Sequence, residues 1–173
     1  MIGDKRTRPA TDRMREAVFS FLGARVQGAG FVDLFAGSGS YGLEALSRGA
    51  LGGVFVENNH RNVLSLKKNL TAVSKNVEGG KECRIAVCNA LSWKPFGLCA
   101  DIIFVDPPYD LWDKCGEAVL KQADHCLKKD RGALLVAEMP AGFNLGSNAW
   151  LLVRRLGRGN AQAPTVAVYQ RAL

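Results

Sequence analysis

The sequence has no hydrophobic run long enough to cross a membrane. Hydrophobic residues make up 47% of its 173 residues but occur only in short segments, whereas a membrane-spanning helix needs about 20 consecutive apolar residues. The opening stretch, MIGDKRTRPATDRMRE, is charged throughout and has no apolar core of the kind found in secretory signals. We therefore expect a cytoplasmic protein without membrane partners.

Cysteine and histidine are too few, and too far apart, to indicate a disulfide framework or a zinc site. The five cysteines are an odd number and form no C-x-x-C pair, and only two histidines occur, His60 and His125. Such usage favours reduced, mostly structural thiols. We expect no bound metal.

Acidic residues are scarce at both ends of the chain. The formal net charge is +7, and residues 150–173 contain four arginines and no acid. A basic surface of this kind is typical of proteins that bind a polyanionic partner such as nucleic acid. The candidate RNA-binding residues are Lys5, Arg6, Arg8, Arg154, Arg155 and Arg158.

Apolar runs alternate with amphipathic segments along the chain. Helices are predicted at 11–24, 42–48, 59–73 and 113–128, and strands at 30–35, 53–57, 83–88, 101–105, 132–137, 150–156 and 165–171. Strands that alternate with helices form parallel βαβ units, with helices on both faces of the sheet. The last two strands have no helix between them and should pair antiparallel. The pattern predicts an α/β fold with a mostly parallel seven-stranded sheet and an antiparallel C-terminal edge strand.

No internal repeat, low-complexity tract or linker divides the sequence. We therefore expect one domain over residues 1–173. Residues 1–28 would form a basic segment and helix, and residues 29–173 the catalytic sheet core.

The segment DLFAGSGSYG, residues 33–42, contains a G-x-G-x-x-G motif between a predicted strand and a predicted helix. Glycines at these positions permit a tight turn and let a ligand approach the backbone near a helix N-terminus. Glu57 ends the next strand, where a carboxylate can accept hydrogen bonds from the ribose hydroxyls of an adenosine cofactor. The motif by itself fits NAD as well, so an oxidoreductase is a competing hypothesis.

Three features weigh against a dehydrogenase. Asp33 lies within the end of the first strand, four residues ahead of Gly37, where it can orient the turn or meet a cationic group. The fourth strand runs into D-P-P-Y, residues 106–109, which a dinucleotide site does not need. Finally, no second domain is present to hold a nicotinamide substrate.

The segment DIIFVDPPYD, residues 101–110, ends a buried strand with two prolines that lack backbone donors. The carboxylate of Asp106 and the carbonyl of Pro107 could accept the two N–H bonds of an exocyclic amine and so localise its lone pair. Pro108 stiffens the unit, and Tyr109 provides a ring on which an extruded base can stack. This arrangement suits methyl transfer from a sulfonium to an amine.

The two motifs together resemble the S-adenosylmethionine-dependent amino-methyltransferases that act on nucleic-acid bases. Five collinear blocks narrow the resemblance to the RsmD family, the bacterial 16S rRNA guanine-N2 methyltransferases. They are RPATDRMREAVFSFL (8–22), DLFAGSGSYGLEALSRGA (33–50), FVEN (55–58), FVDPPY (104–109) and VAVYQR (166–171). The resemblance implies a Rossmann-like methyltransferase fold, S-adenosylmethionine as cofactor, and 16S rRNA as substrate within a 30S assembly particle. We expect the enzyme to be a monomer.

The resemblance also implies roles for individual residues. The turn would wrap the methionine part of the cofactor, Glu57 would hold the ribose, Asn89 and Ala90 would meet the adenine, and Asp12 and Arg13 would close over the site. The implied cofactor-binding residues are Asp12, Arg13, Asp33, Phe35, Ala36, Gly37, Ser38, Gly39, Glu57, Asn58, Asn89, Ala90 and Asp106. The implied catalytic residues are Asp106, Pro107, Pro108 and Tyr109.

Other functions remain open at this point. DNA amino-methyltransferases share D-P-P-Y but need a larger target-recognition region than the single helix that follows Tyr109. Protein-glutamine methyltransferases resemble the site but usually begin the motif with asparagine, where this chain has Asp106. A non-catalytic RNA-binding factor could retain the same fold.

Overall fold

The computed structural model describes residues 9–74, 82–95, 97–130, 132–157 and 163–172. The helices are α1 (Pro9–Leu22), α2 (Ser40–Ser47), α3 (His60–Ser74) and α4 (Trp112–Cys126). The strands are β1 (Gly30–Leu34), β2 (Gly52–Val56), β3 (Glu82–Ala86), β4 (Ile102–Val105), β5 (Leu134–Pro140), β6 (Trp150–Leu156) and β7 (Pro164–Arg171). Short 3-10 helices cover Gly23–Val26 and Tyr109–Leu111. Each helix and strand lies within about three residues of its predicted position, as is usual for element boundaries.

The seven strands form one sheet in the order β3-β2-β1-β4-β5-β7-β6. Strands β1 to β5 pair in parallel, and β7 runs antiparallel to both β5 and β6. The predicted fold class is confirmed. The outermost antiparallel strand is β6, however, and the C-terminal strand β7 lies inside the sheet. The reason is burial: residues 165–169 of β7 are all buried, whereas residues 151–154 of β6 are exposed.

Helices cover both faces of the sheet, because the central strands are apolar on both sides. Helices α1, α2 and α3 pack on one face around an aromatic group in which Phe31 meets Phe55 at 5.3 Å and Tyr41 stacks on Phe104 at 5.4 Å. Helix α4 packs on the other face through Trp112 and its neighbours. No helix in the described ranges is long and apolar enough to cross a bilayer.

The strand register aligns four positions at the carboxyl edge of the sheet. Leu34 pairs with Val56 on one side and Val105 on the other, and Val105 pairs with Ala137. The residues that directly follow these aligned positions are Glu57 after β2, Phe35 after β1, Asp106 after β4 and Glu138 in β5. They lie in that order across the sheet. Open α/β sheets bind ligands at this edge.

Candidate active site

The turn after β1 needs glycine for two different reasons. Gly37 and Gly39 have φ values of 56° and 91°, in the left-handed region that favours glycine. At Gly42 the reason is space, because an added Cβ would lie 2.3 Å from a ring carbon of Phe55. The first two glycines shape the turn, and the third lets α2 pack closely on the sheet.

Glu57 fastens the turn to the start of α3. Its carboxylate accepts a hydrogen bond from the backbone N–H of Gly37 at 2.8 Å and another from Asn59 at 2.7 Å. A carboxylate has about four acceptor positions, so Glu57 can still accept donors from a ligand. It is buried, and it lines the cavity described below.

Asp33 lies beneath the turn. It is 2% exposed and accepts a hydrogen bond from the backbone N–H of Gly42 at 2.9 Å. Burial raises the pKa of its carboxyl to about 7, the Gly42 N–H opposes this shift, and the charge of Glu57 adds to it. Asp33 therefore orients the turn and α2 from below.

Asp106 directly follows β4, and burial raises the pKa of its carboxyl to about 8, with further contributions from the charges of Glu138 and Asp33. Among the described residues, none donates a hydrogen bond to the Asp106 carboxylate or to the Pro107 carbonyl. The Pro108 carbonyl, in contrast, accepts the N–H of Leu111 at 2.9 Å. Two acceptors at the start of the D-P-P-Y turn are thus left available.

Glu138 is a site residue that the sequence analysis missed. Its two carboxylate oxygens accept hydrogen bonds from the hydroxyls of Tyr41 (2.9 Å) and Tyr109 (3.1 Å). The indole N–H of Trp112 donates to its backbone carbonyl at 3.0 Å. The only available signal was one acid in the apolar strand LLVAEMP, and its position beside Asp106 depends on the β4–β5 register.

Four buried or half-buried carboxylates project from the same face of the sheet. Side chains alternate between faces along a strand, and each acid lies two residues beyond an apolar residue packed by α1, α2 and α3. They are Asp33 after Phe31, Glu57 after Phe55, Asp106 after Phe104 and Glu138 after Val136. This edge of the sheet therefore brings four carboxyl groups together.

A cavity of 800 Å³ joins the glycine turn to the D-P-P-Y turn. Its lining includes ten of the predicted residues: Phe35, Ala36, Gly37, Ser38, Glu57, Asn58, Asp106, Pro107, Pro108 and Tyr109. It also includes five that were not predicted: Ser40, Asn59, Asn62, Glu138 and Pro164. The volume falls within the range of about 300–1,000 Å³ that is typical of small-molecule sites.

Other predicted cofactor residues lie outside this lining. The Asn89 side chain accepts a hydrogen bond from the N–H of Leu91 at 2.9 Å and so caps the turn after β3. Ala90 is buried in the core, and Asp12 pairs with Arg15 at 2.8 Å. Three further predicted residues, Arg13, Asp33 and Gly39, are also outside the lining.

The two described arginines predicted to bind RNA differ in their surroundings. Arg154 is exposed on the edge strand β6. Arg155 is half-buried and donates to the Thr165 hydroxyl at 3.0 Å and to the Phe143 carbonyl at 2.8 Å. Arg155 therefore links β6 to neighbouring segments through its hydrogen bonds. Arg154, whose side chain is exposed, is the better candidate for a contact with RNA. Lys5, Arg6, Arg8 and Arg158 lie outside the described residues.

The parts of the chain that the structure describes contain no group of three or more histidine, cysteine, aspartate or glutamate side chains arranged to hold a metal ion. All five cysteines are free thiols, and Cys115 and Cys126 are buried. Burial raises the pKa of the Cys126 thiol to about 12.

Residues 1–163 match the model of the family described as conserved hypothetical protein 95. The chain is 32% identical to YlbH of Bacillus subtilis over 134 residues, which cover 76% of this chain and 71% of that protein. It is 40% identical to the ribosomal RNA small subunit methyltransferase D of Escherichia coli over 103 residues, or 59% of this chain. That alignment spans about half of the E. coli protein (50%).

Solved structures show the same relationship. The E. coli protein yhhF superimposes with a TM-score of 0.77 and 34% identity, over 95% of this chain and 87% of that one. The chain therefore belongs to the conserved hypothetical protein 95 family, which is the RsmD family that its sequence blocks resemble.

Proposed function

We propose that this protein transfers the methyl group of S-adenosylmethionine to the exocyclic N2 amine of a guanine in small-subunit ribosomal RNA. The observation that carries the proposal is the single cavity shared by the glycine turn and the D-P-P-Y turn. One part of that cavity suits an adenosyl cofactor, and the other presents acceptors to an amine. Family membership and the name of the E. coli relative, ribosomal RNA small subunit methyltransferase D, support ribosomal RNA as the substrate.

The residues present fit S-adenosylmethionine. This cofactor carries a positive charge on sulfur, which the carboxyl groups of Asp33, Glu57, Asp106 and Glu138 would attract in their ionised forms. Glu57 retains acceptor positions for ribose hydroxyls. The left-handed backbone at Gly37 favours glycine, which has no side chain that could block a ligand at the turn. When bound, the cofactor supplies an electrophilic methyl group.

The Asp106–Pro107 pair would prepare the amine for attack. The lone pair of a base amine is delocalised into the ring, which makes the nitrogen a poor nucleophile. If the Asp106 carboxylate and the Pro107 carbonyl each accept one N–H bond, the nitrogen moves toward tetrahedral geometry and its lone pair becomes available. That pair would form the new N–C bond, and the electrons of the broken C–S bond would remain on the sulfur of the cofactor. Placement and preorganised electrostatics then supply the acceleration.

The raised pKa of Asp106 suits a second task. After methylation the nitrogen carries an extra proton, and a carboxylate with a pKa near 8 can accept it and release it to solvent. Tyr109 is partly exposed at the mouth of the cavity, with its hydroxyl bound to Glu138. Its ring would stack on the extruded base, as occurs when enzymes act on single bases.

The RNA would bind across the basic surface of the protein, with exposed Arg154 as one contact. Phosphate contacts of this type position the nucleic acid without reading its sequence. We further propose that the protein acts as a monomer without a metal ion, in the cytoplasm, on a 30S assembly particle.

Labelled S-adenosylmethionine tests the proposal directly. The protein is incubated with 30S particles, or with naked rRNA, from a strain that lacks the enzyme, and the modified nucleotide is then mapped. We expect one methylated guanine, labelled at N2. Label in another base, in protein or in nothing at all would contradict the proposal.

A matched pair of variants tests the catalytic role. Asp106→Ala should abolish transfer, while calorimetry still detects cofactor binding. Asp110→Ala, which removes an exposed carboxylate outside the cavity lining, should transfer at the normal rate. Normal transfer by Asp106→Ala would remove the role that we assign to this residue.

A further inference from the structure

Glu138 and Asp106 form a pair of neighbouring carboxylates in the wall of the cavity. Val105 and Ala137 are paired in the β4–β5 register, so the residues that follow them occupy adjacent positions on the same face. Neighbouring strands lie about 4.8 Å apart. Both side chains line the cavity, so both can reach the edge of one bound base.

The Glu138 carboxylate is held in place but is not fully used. The hydroxyls of Tyr41 and Tyr109 each donate to one of its oxygens, and Tyr41 comes from α2 while Tyr109 comes from the turn after β4. Each carboxylate oxygen has two acceptor positions. One position on each oxygen of Glu138 therefore remains for a ligand, with an orientation set by two separate elements.

This part of the cavity consists of acceptors once Asp106 has lost its proton, which its pKa of about 8 places at mildly alkaline pH. They are the carboxylates of Asp106 and Glu138 and the Pro107 carbonyl, and the two tyrosine hydroxyls use their protons on Glu138. A base that binds here must present donors to all of them. Lone pairs facing an ionised carboxylate would be repelled.

The common bases differ in the atom next to the exocyclic amine. In guanine the N2 amine lies beside N1–H, so the edge presents a donor next to a donor. In adenine and cytosine the amine lies beside a ring nitrogen that carries a lone pair. Three N–H bonds of guanine thus match the three acceptors of the cavity, whereas adenine and cytosine would place a lone pair against a carboxylate.

We propose that Glu138 accepts the N1–H of the target guanine, while Asp106 and Pro107 accept its N2 hydrogens, and that Glu138 thereby determines the choice of base. This inference rests on the proposed function and adds to it a specificity residue. A buried polar group left unpaired, or facing a like charge, discriminates strongly between otherwise similar substrates.

The test uses an analogue that changes only the edge of the base. 2-Aminopurine retains the 2-amine but has a lone pair at N1 instead of N1–H, and it also lacks O6, so the change in preference caused by Glu138→Gln is what isolates the N1 contact. Once the methylated guanine has been mapped, a fragment of the rRNA, or a reconstituted particle, is prepared with either guanine or 2-aminopurine at that position. We expect kcat/KM of the unaltered protein to favour guanine by about 100-fold or more.

Glu138→Gln is the decisive variant, because the amide can present N–H to a lone pair. We expect it to lower kcat/KM for guanine and to reduce the preference over 2-aminopurine by about tenfold or more. Tyr41→Phe is the matched control: it removes one donor to Glu138 but keeps the carboxylate, so its rate falls while the preference persists. Calorimetry with S-adenosylmethionine checks that each variant retains the cofactor site.

Two outcomes would overturn the inference while leaving the proposed function intact. In one, the unaltered protein methylates 2-aminopurine as well as it methylates guanine. In the other, Glu138→Gln is slower but keeps the full preference for guanine, which would show that the residue only supports the site. If no guanine is methylated at all, the proposed function fails, and the inference fails with it.

Discussion

Asp106→Asn should stabilise the folded protein at high pH, and the effect should depend on pH. The pKa of this carboxyl rises from 3.8 to about 8 on folding, so the folded state binds its proton more tightly than the unfolded state does. Stability therefore falls as the pH rises from about 4 to about 8, and the loss is constant above that range. The amide has no proton to lose and should escape this loss.

The structure bounds the size of the effect. One unit of pKa corresponds to about 1.4 kcal/mol, but solvent reaches part of this side chain, and the repulsion is shared with Glu138 and Asp33. We expect Asp106→Asn to raise the free energy of unfolding by ~1–2 kcal/mol at pH 9, where the carboxyl of the parent protein is ionised and its full cost is present. For a chain of this size that is a rise in Tm of about 2–8 °C.

Thermal unfolding of the two proteins between pH 5 and pH 9 measures the effect. The difference in Tm should be small at pH 5 and grow up to about pH 8. Asp110→Asn, an exposed neighbour, should change stability by less than about 0.5 kcal/mol at every pH. A Tm difference independent of pH, or a variant less stable than the parent at pH 9, would refute the electrostatic reasoning.

Three further predictions concern the ring, the packing and the pH profile of the site. Tyr109→Ala should lower kcat/KM for RNA by about 10–100-fold through lost stacking, and Tyr109→Phe by less, because the ring remains; equal losses would contradict stacking. Gly42→Ala should lower the free energy of unfolding, measured in denaturant, by about 1–3 kcal/mol, because its Cβ would lie 2.3 Å from an aromatic ring carbon. Gly146→Ala is the control, because Gly146 has open space around it. Similar losses for the two variants would be inconsistent with the packing. The kcat/KM for methyl transfer should rise between pH 6 and pH 9 as Asp106 loses its proton. Glu138→Gln should move this rise to lower pH, because the charge of Glu138 raises the pKa of Asp106. A flat pH profile would exclude Asp106 as the group that accepts the proton.

Features that depend on neighbouring residues in the chain could be predicted from the sequence. Two prolines end β4 because they lack backbone donors, and no distant residue can change that. The glycines of the turn occur where the backbone adopts left-handed angles, and the apolar runs mark the strands of a sheet buried on both faces. The fold class, the family and the meeting of the two turns at one edge of the sheet followed from such signals.

Features that depend on contacts between distant segments could not be predicted. Nothing local distinguishes Arg155, which the structure ties to Thr165 and Phe143, from Arg154, which is exposed. The sequence also could not show that Asn89 caps its own turn outside the cavity lining. These outcomes depend on which partners the fold brings within hydrogen-bonding distance.

Strand order and register explain why some features could be predicted from the sequence and others could not. Local propensity predicts where strands form, but the place of β7 inside the sheet depends on which strand buries more apolar surface. One register, between β4 and β5, places Glu138 beside Asp106, and a shift of one residue would turn that carboxylate to the other face. The amino-acid sequence by itself thus determined the two turns, whereas only the tertiary structure decided which carboxylate stands beside Asp106.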